Sequence, residues 1–371
     1  MKQTLILLIF LAVFLPGISQ PIVTRVVVDS ATGEPIPYAY VYLSNDRRTG
    51  TLTNSDGRFR LPFESGTDSL VISHLTYLAF KQPISSLPGD TLRLTEKALM
   101  LEEVSIYGET GAHFFQKIMD NLEKNHAVEP ALYHVFFRSA HHETDLSALH
   151  ILSEYEMKVY FDTNHKGNLK IEHARSRPFS KPGEAHSSDL FVMEAAGVVF
   201  DNLFLSELKW KPSVFKRFTI EIVGSTQEDD RTLLRLDLSP VRPARDNAYT
   251  LYMDEKSFAV VRLITYYNES QTAFEELRYR ELNGKWYLAY SQNRTRESDF
   301  YQKWDTQSNS VREWFALFTL LPLEPKTDEF KGYMIVAQPA KEILGKWDDP
   351  FWDQYKNIPL PEWMQRVVEE K

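Results

Sequence analysis

His134, His141, His142, Glu143, Asp145 and His150 form the densest run of histidines in the chain. Imidazoles and carboxylates at short spacing are the material of zinc hydrolases. His-Glu-x-x-His on a helix puts two imidazoles on one face and lets the Glu activate water, while metallocarboxypeptidases combine His-x-x-Glu with a distant His. Here His142-Glu143-Thr144-Asp145 offers Asp where Glu is wanted, in a stretch that reads as a strand end and loop. A solvated β-turn is the favoured reading, and a metal-dependent hydrolase built on His141–His150 the outlying one. Glu228-Asp229-Asp230 and Asp348-Asp349 are the other acidic clusters. Paired carboxylates do acid–base work only in a cleft that raises a pKa; the first pair of runs around 228–230 reads as a hairpin, and the second cluster opens an aromatic tail. No Gly-x-Ser-x-Gly elbow, P-loop or dinucleotide fingerprint occurs, so no catalytic residue and no cofactor are expected.

The last quarter of the chain is crowded with rings: Trp304, Trp314, Phe315, Phe318, Trp347, Phe351, Trp352 and Trp363. Clustered aromatics close cores or hold glycans and lipids. Core closure by the tail is favoured; the residues for a ligand or partner surface are Trp304, Trp314, Trp347 and Trp352.

The elements that must position these residues follow from composition. A chain of 371 residues, 43% hydrophobic, is long enough for two folded units. Its 18 Tyr and 23 Phe favour pleated structure. A net charge of −9 argues against nucleic acid, which is held by clustered Lys and Arg. Lys2, the apolar run Leu5 to Leu15 and the small residues Gly17 and Ser19 read as an export signal over 1–19; the run is shorter than the ~20 residues that span a bilayer. With no cysteine, disulfides, thiol chemistry and a lipid-anchoring Cys are excluded. Export to the periplasm or outer-membrane surface is expected.

Residues 20–106 alternate at period two. Tyr38, Tyr40 and Tyr42 oppose Ala39, Val41 and Leu43, and Phe59, Leu61 and Phe63 oppose Arg58 and Arg60. Turn signals at Ala31-Thr-Gly-Glu-Pro, Asn54-Ser-Asp-Gly and Leu87-Pro-Gly-Asp separate about seven strands, as in a sandwich of two antiparallel sheets. Asp29 and Asp56 invite a calcium reading, but the alternating ligands and terminal Glu of an EF-hand loop are absent, and turn chemistry is favoured, with Asp56 bonding its own turn. The patterns V-x-D-x-x-T-G-E-P-I-P-x-A-x-V and G-T-x-T-N-x-D-G-x-F resemble the carboxypeptidase-regulatory-like (transthyretin-like) domain of exported Bacteroidetes proteins, with Arg25 where the pattern often has Gly. The resemblance implies a structural or interaction module and carries no peptidase residues. The domain also fronts many TonB-dependent receptors, but too few residues follow Tyr107 for a plug and a large membrane barrel.

After the break at Gly108-Glu-Thr-Gly the period changes. Phe114, Phe115, Ile118, Met119 and Leu122 predict an amphipathic helix from about Gly111 to Lys124, capped by Thr110, within a linker over 107–130. From 131 to 371 alternation returns. Ser153, Tyr155, Met157, Val159 and Phe161 oppose Glu154, Glu156 and Lys158, the pattern of a sheet wet on one side. Phe258 to Tyr267 alternates least and should lie nearer the sheet centre. Asn283-Gly284 is the clearest hairpin turn, Ser176–Ser188 reads as an exposed loop, Ala195–Leu205 as a helix or buried loop, and a short helix is expected from Pro361. Asn125-His-Ala-Val-Glu-Pro, Ser153-Glu-Tyr-Glu-Met-Lys-Val-Tyr, Tyr252-Met-Asp-Glu-Lys-Ser-Phe-Ala and Phe351-Trp-Asp-Gln-Tyr-Lys-Asn-Ile-Pro resemble, in that order, an uncharacterised C-terminal region that accompanies this module in a Bacteroidetes family. Within it, Phe218–Val223, Leu233–Leu238 and Tyr249–Tyr266 resemble the half-barrel sheet of lipoprotein carriers, which implies an apolar cavity.

The expected fold class is mainly β: a seven-stranded transthyretin-like sandwich followed by a larger α+β domain with one curved antiparallel sheet. The expected function is non-enzymatic binding or scaffolding. The partner is an outer-membrane or periplasmic protein, or in the carrier alternative a lipid or other apolar ligand in the C-terminal sheet.

Overall fold

The computed structural model describes residues 21–64, 68–74, 76–97, 110–127, 129–162, 167–179, 214–228, 231–243, 246–267, 270–296, 310–330, 345–356 and 358–370. It divides into two compact units, Met1–Glu96 with Gln354–Pro361, and Lys97–Asp353 with Glu362–Lys371. The expected signal segment and Ala195–Leu205 lie outside the described residues.

The first unit is built from β1 (Ile22–Asp29), β2 (Tyr40–Leu43), β3 (Asp46–Leu52), β4 (Arg58–Pro62), β5 (Ser69–His74), β6 (Tyr77–Pro83) and β7 (Thr91–Leu94). They form two sheets, ordered β4-β1-β7 and β3-β2-β5-β6. Period-two alternation sends Val27, Phe59 and Leu92 from one sheet and Val41, Leu70 and Ile72 from the other into a common core. The seven strands agree with the alternation; the all-antiparallel expectation does not. β7 runs parallel to β1, Val26 opposite Thr91, because the chain changes sheets after β6 and reaches the free edge of β1 from the same end. Asp29 Oδ1 accepts from the N–H of Ala31 and Thr32, at 2.8 and 2.7 Å. In the second turn Asn54 Oδ1 accepts from the N–H of Asp56 and Arg58, at 3.0 and 2.9 Å.

The second unit opens with α1 (Gly111–Asn125). Thr110 caps it, Oγ1 accepting from His113 N–H at 3.3 Å, and Phe114, Phe115, Ile118 and Leu122 are buried along one stripe. Ten strands follow: β8 (Ala131–Glu143), β9 (Leu149–Phe161), β10 (Gly167–Pro178), β11 (Phe218–Glu228), β12 (Arg231–Pro240), β13 (Ala248–Asp254), β14 (Val260–Tyr266), β15 (Phe274–Leu282), β16 (Lys285–Arg296) and β17 (Ser310–Leu321). They make one antiparallel sheet, β10-β9-β8-β17-β16-β15-β14-β13-β12-β11. Two meanders, β8–β10 and β11–β16, are thus joined by the last strand, β17.

At ~4.8 Å between neighbours, the nine steps from β10 to β11 add up to about 43 Å across the sheet. β14 is interior and buried on both faces, as its weak alternation suggests, yet β8 is the more completely buried. β10 runs to Pro178 and takes the first residues of the expected 176–188 loop. The β15–β16 turn is type I′: Asn283 and Gly284 have φ of 53° and 80°, the positive values that turn requires. The tail carries a 3-10 segment (Pro350–Tyr355) and α2 (Glu362–Glu369).

Gly111 brings α1 against β11: a Cβ there would lie 2.4 Å from the backbone oxygen of Ile220. Helix propensity favours Ala over Gly by about 1 kcal/mol, but the neighbour is backbone and cannot swing away. Gly111→Ala is therefore expected to destabilise by about 1–3 kcal/mol; a urea midpoint unchanged or raised in the variant contradicts this packing.

Candidate functional site

Adjacent residues of each strand point to opposite faces of the ten-stranded sheet, and the register places them in two lateral rows. One row runs Arg175, Glu154, Arg138, Phe315, Gln292, Glu276, Ile264, Thr250, Asp237, Glu221, one residue per strand from β10 to β11. The row beside it, on the other face, runs Ala174, Tyr155, Phe137, Ala316, Ser291, Leu277, Leu263, Leu251, Leu236, Ile222. One face is polar, the other apolar.

From Glu154 to Thr250 the polar row is largely buried, contrary to what the alternating charge of β9 suggests, and it meets water at its Glu221 end. Glu154 is 1% exposed and accepts from Arg138 Nε and Arg175 Nε, both at 2.6 Å. Glu276 is 2% exposed; its Oε1 faces Arg262 Nε at 2.6 Å and accepts from Arg278 Nε, and its Oε2 accepts from Gln292 Nε2 at 2.8 Å. Tyr290 in turn donates to Gln292 Oε1 at 2.6 Å. Carboxylates can leave water here because guanidiniums replace it, from the two flanking strands at Glu154 and from β14 and β15 itself at Glu276. Burial would push Glu276 up, but the charges of Arg262 and Arg278 outweigh it and bring its pKa down to about 2. Burial likewise raises Glu313, while its hydrogen bond with His142 and the nearby Arg294 leave it lowered. These carboxylates are held ionised, the reverse of what a general acid near neutral pH needs.

The tail completes this face at β8–β10. The Arg175 guanidinium lies 4.4 Å from the ring centroid of Trp347 and 4.7 Å from that of Trp352, and Nη1 donates to Trp347 O at 2.6 Å. Phe351 stacks on His173, centroids 3.7 Å apart. Trp363 of α2 meets the His142 ring edge-on at 5.2 Å. So Trp347 and Trp352 come together, whereas Trp314 lies on the apolar face, tilted against Phe137 at 5.5 Å; Trp304 is outside the described residues. Phe315 and Phe318 also part, to the polar and apolar faces.

The histidine stretch comes together only in part: the His141 and His150 rings lie 5.0 Å apart, and the others are separated. His134 and His142 belong to the polar face and His141 to the apolar one. His134 Nε2 is 2.7 Å from Glu156 Oε1, His150 Nε2 is 2.8 Å from Glu143 Oε1, and His142 Nδ1 donates to Glu143 O at 2.7 Å with Nε2 3.6 Å from Glu313. His141 and His142 are 0% and 1% exposed, which corrects the expectation of a solvated turn. β8 is interior, and both of its faces are covered; only Asp145, bonded to Ser147 N–H at 3.0 Å, sits in the turn. Among the described residues no three His, Cys, Asp or Glu side chains are grouped to hold a metal ion.

On the apolar face bulky side chains flank two small ones at the centre, Ala316 and Ser291, both fully buried, and the Ser291 hydroxyl has no hydrogen-bond partner among the described residues. Nearby, His126 packs edge-on against Tyr279 at 5.0 Å, and its Nε2 accepts from Val260 N–H at 3.2 Å. Burial, with a smaller contribution from Lys285, lowers the His126 pKa to about 3, so the neutral ring carries its proton on Nδ1. Alternation in β16 and β17 marks these faces; the polar row, made from strands far apart in sequence, has no local signal.

Residues 24–106 match the family model described as the CarboxypepD_reg-like domain. No curated protein matches the chain. Among solved structures, a LolA superfamily protein from Nitrosomonas europaea is 12% identical with a TM-score of 0.29, covering 58% of this chain and 96% of that one. A DUF1329 family protein from Desulfovibrio piger is 10% identical at 0.27, over 58% and 95%. MucB in its complex with MucA, from Pseudomonas aeruginosa, is 9% identical at 0.21, over 57% and 94%. At such scores these superpositions carry no functional weight.

Two pH effects follow. Glu276 binds its proton less readily folded than unfolded, so its share of stability is intact above about pH 4.5 and is lost as pH falls toward about 2, roughly 3 kcal/mol in all. Glu276→Gln should cost about 3–5 kcal/mol at neutral pH by stranding two guanidiniums, and should flatten the acid limb of a urea-stability profile. His126 is likewise harder to protonate folded than unfolded, so stability falls as pH drops below about 6.5 and the loss continues to about 3. His126→Asn should remove that slope between pH 7 and pH 5; an unchanged slope assigns it to another group.

Proposed function

We propose that this is a non-enzymatic, exported binding protein of the periplasm or outer-membrane surface, of the Bacteroidetes type its motifs resemble. The first unit serves as an interaction module, and the ten-stranded sheet holds an apolar ligand. The observation that carries the ligand reading is the centre of the apolar face, where Ala316 and Ser291 stand among Phe137, Tyr155, Leu277 and Leu263. Ala316 and Ser291 are the smallest side chains between Phe137 and Leu277, so the wall of the face is lowest there, under a cover that leaves neither exposed. A buried hydroxyl without a partner costs about 1–3 kcal/mol, a cost that a ligand carrying one carbonyl or hydroxyl group offsets. An apolar wall with few placed polar groups is the usual composition of a small-molecule site. Export rests on Lys2, Leu5–Leu15 and the small residues before Gln20; among the described residues no helix is long and apolar enough to cross a membrane.

Native mass spectrometry of the purified full chain, followed by solvent extraction, is expected to show an apolar molecule bound at one equivalent. Ser291→Leu, which sets apolar bulk at the low point of that row and removes the hydroxyl, should abolish that species and the binding of an apolar fluorescent probe while leaving circular dichroism unchanged. A protein that carries no such molecule and binds no probe ends the ligand reading.

A further inference from the structure

The three-stranded sheet of the first unit has an outer face whose composition is unlike the rest of the chain. The inward residues of β1, β4 and β7 make the sandwich core, so the outward positions are Ile22, Thr24, Val26 and Val28; Arg58, Arg60 and Pro62; and Thr91 and Arg93. Three of these are arginines and none is a carboxylate, in a chain of net charge −9. Register sets Thr24 between Arg60 and the open edge and Val26 between Arg58 and Thr91, with Arg93 opposite Val28. Strand spacing of ~4.8 Å and an i,i+2 repeat of ~6.6 Å then put the Cα of Arg58 about 7 Å from that of Arg60 and about 12 Å from that of Arg93, with Arg60 and Arg93 about 16 Å apart on one face. Arg58 and Arg93 are exposed and Arg60 half-buried. Arg60 and Arg93 have no ion pair among the described residues, and the adjacent Asp90 faces Arg25 at 3.8 Å. Ile22, 46% exposed, adds an apolar side chain to the same face.

We infer that this face docks on an anionic lipid surface. Guanidinium forks match phosphate oxygens two at a time, a rigid sheet presents several forks at once with no backbone left to order, and an exposed Ile beside them suits the boundary between headgroups and acyl chains. An acidic polypeptide would meet the same charge, but Ile22 and the uncharged Thr24, Val26 and Thr91 offer it little to pair with. This inference is independent of the ligand on the ten-stranded sheet.

Sedimentation of the full chain with phosphatidylglycerol–phosphatidylcholine vesicles, against phosphatidylcholine alone, tests it. Binding is expected only to the anionic vesicles, and to weaken between about 0.1 M and about 1 M salt as the Debye length drops from about 10 Å to about 3 Å. Each arginine near the surface contributes on the order of fivefold to partitioning, so R58Q/R60Q/R93Q should reduce it by more than tenfold with an unchanged melting temperature, while R58K/R60K/R93K retains most of it. Equal binding to both vesicle types, or full binding by the glutamine variant, overturns the inference. So does retention on immobilised polyglutamate without vesicle binding, which assigns the face to an acidic protein.

Discussion

Glu154 is held between guanidiniums from the strands on either side of it, and Glu276 between Arg262 of the neighbouring β14 and Arg278 of its own strand, and this arrangement exists in only one register of the ten-stranded sheet. Side chains alternate with period two, so a slip of one residue in β9 would exchange Glu154 for Tyr155 and set a carboxylate against Phe137 and Ala174. An ion buried without its partners costs several kcal/mol. The buried charges thus contribute little net stability over an apolar substitute, but they penalise misaligned pairings heavily. The apolar row on the other face depends on the same alignment, since each of its members is chain neighbour to a member of the polar row.

The tail acts on the same interaction. Arg175 serves Glu154 through Nε and Trp347 through Nη1 while Trp347 and Trp352 lie near its guanidinium. The aromatic residues of the last quarter therefore do two separate things. Trp347, Phe351, Trp352 and Trp363 cover β8–β10 on the polar side, and Trp314 and Phe318 contribute to the apolar side, where Phe318 meets Tyr133.

Local patterns made much of this legible. Alternation and turn residues identify the strands of the sandwich, the 3–4 spacing of Phe114 to Leu122 with Thr110 before it identifies α1, and Asn283-Gly284 identifies the hairpin. Properties that depend on which distant strands become neighbours were not legible. Charged residues alternating along β9 look solvated until Arg138 and Arg175 are placed on either side. His141 and His142 look like a turn until β17 is laid against β8 and shields them, Arg312 opposite His141 and Val311 opposite His142. The parallel β1–β7 pair is of the same kind, a matter of which edge is free when the chain returns. The pair of small side chains at Ala316 and Ser291 needs two strands to be seen together before it exists at all.

β17 is both the last strand of the sheet in sequence and the one that joins its two meanders. Until Ser310–Leu321 has been synthesised, β8 and β16 each present an open edge, and β8 is a strand that the finished fold buries on both faces. Such edges are templates for pairing with other chains. The closing contact, Leu321 opposite Leu132, spans nearly the whole second unit, and contacts of that sequence separation carry a large loop-closure entropy and form slowly. The sheet's final assembly is accordingly a slow, post-synthetic event, and the nascent chain depends on being kept from self-association until its last strand arrives.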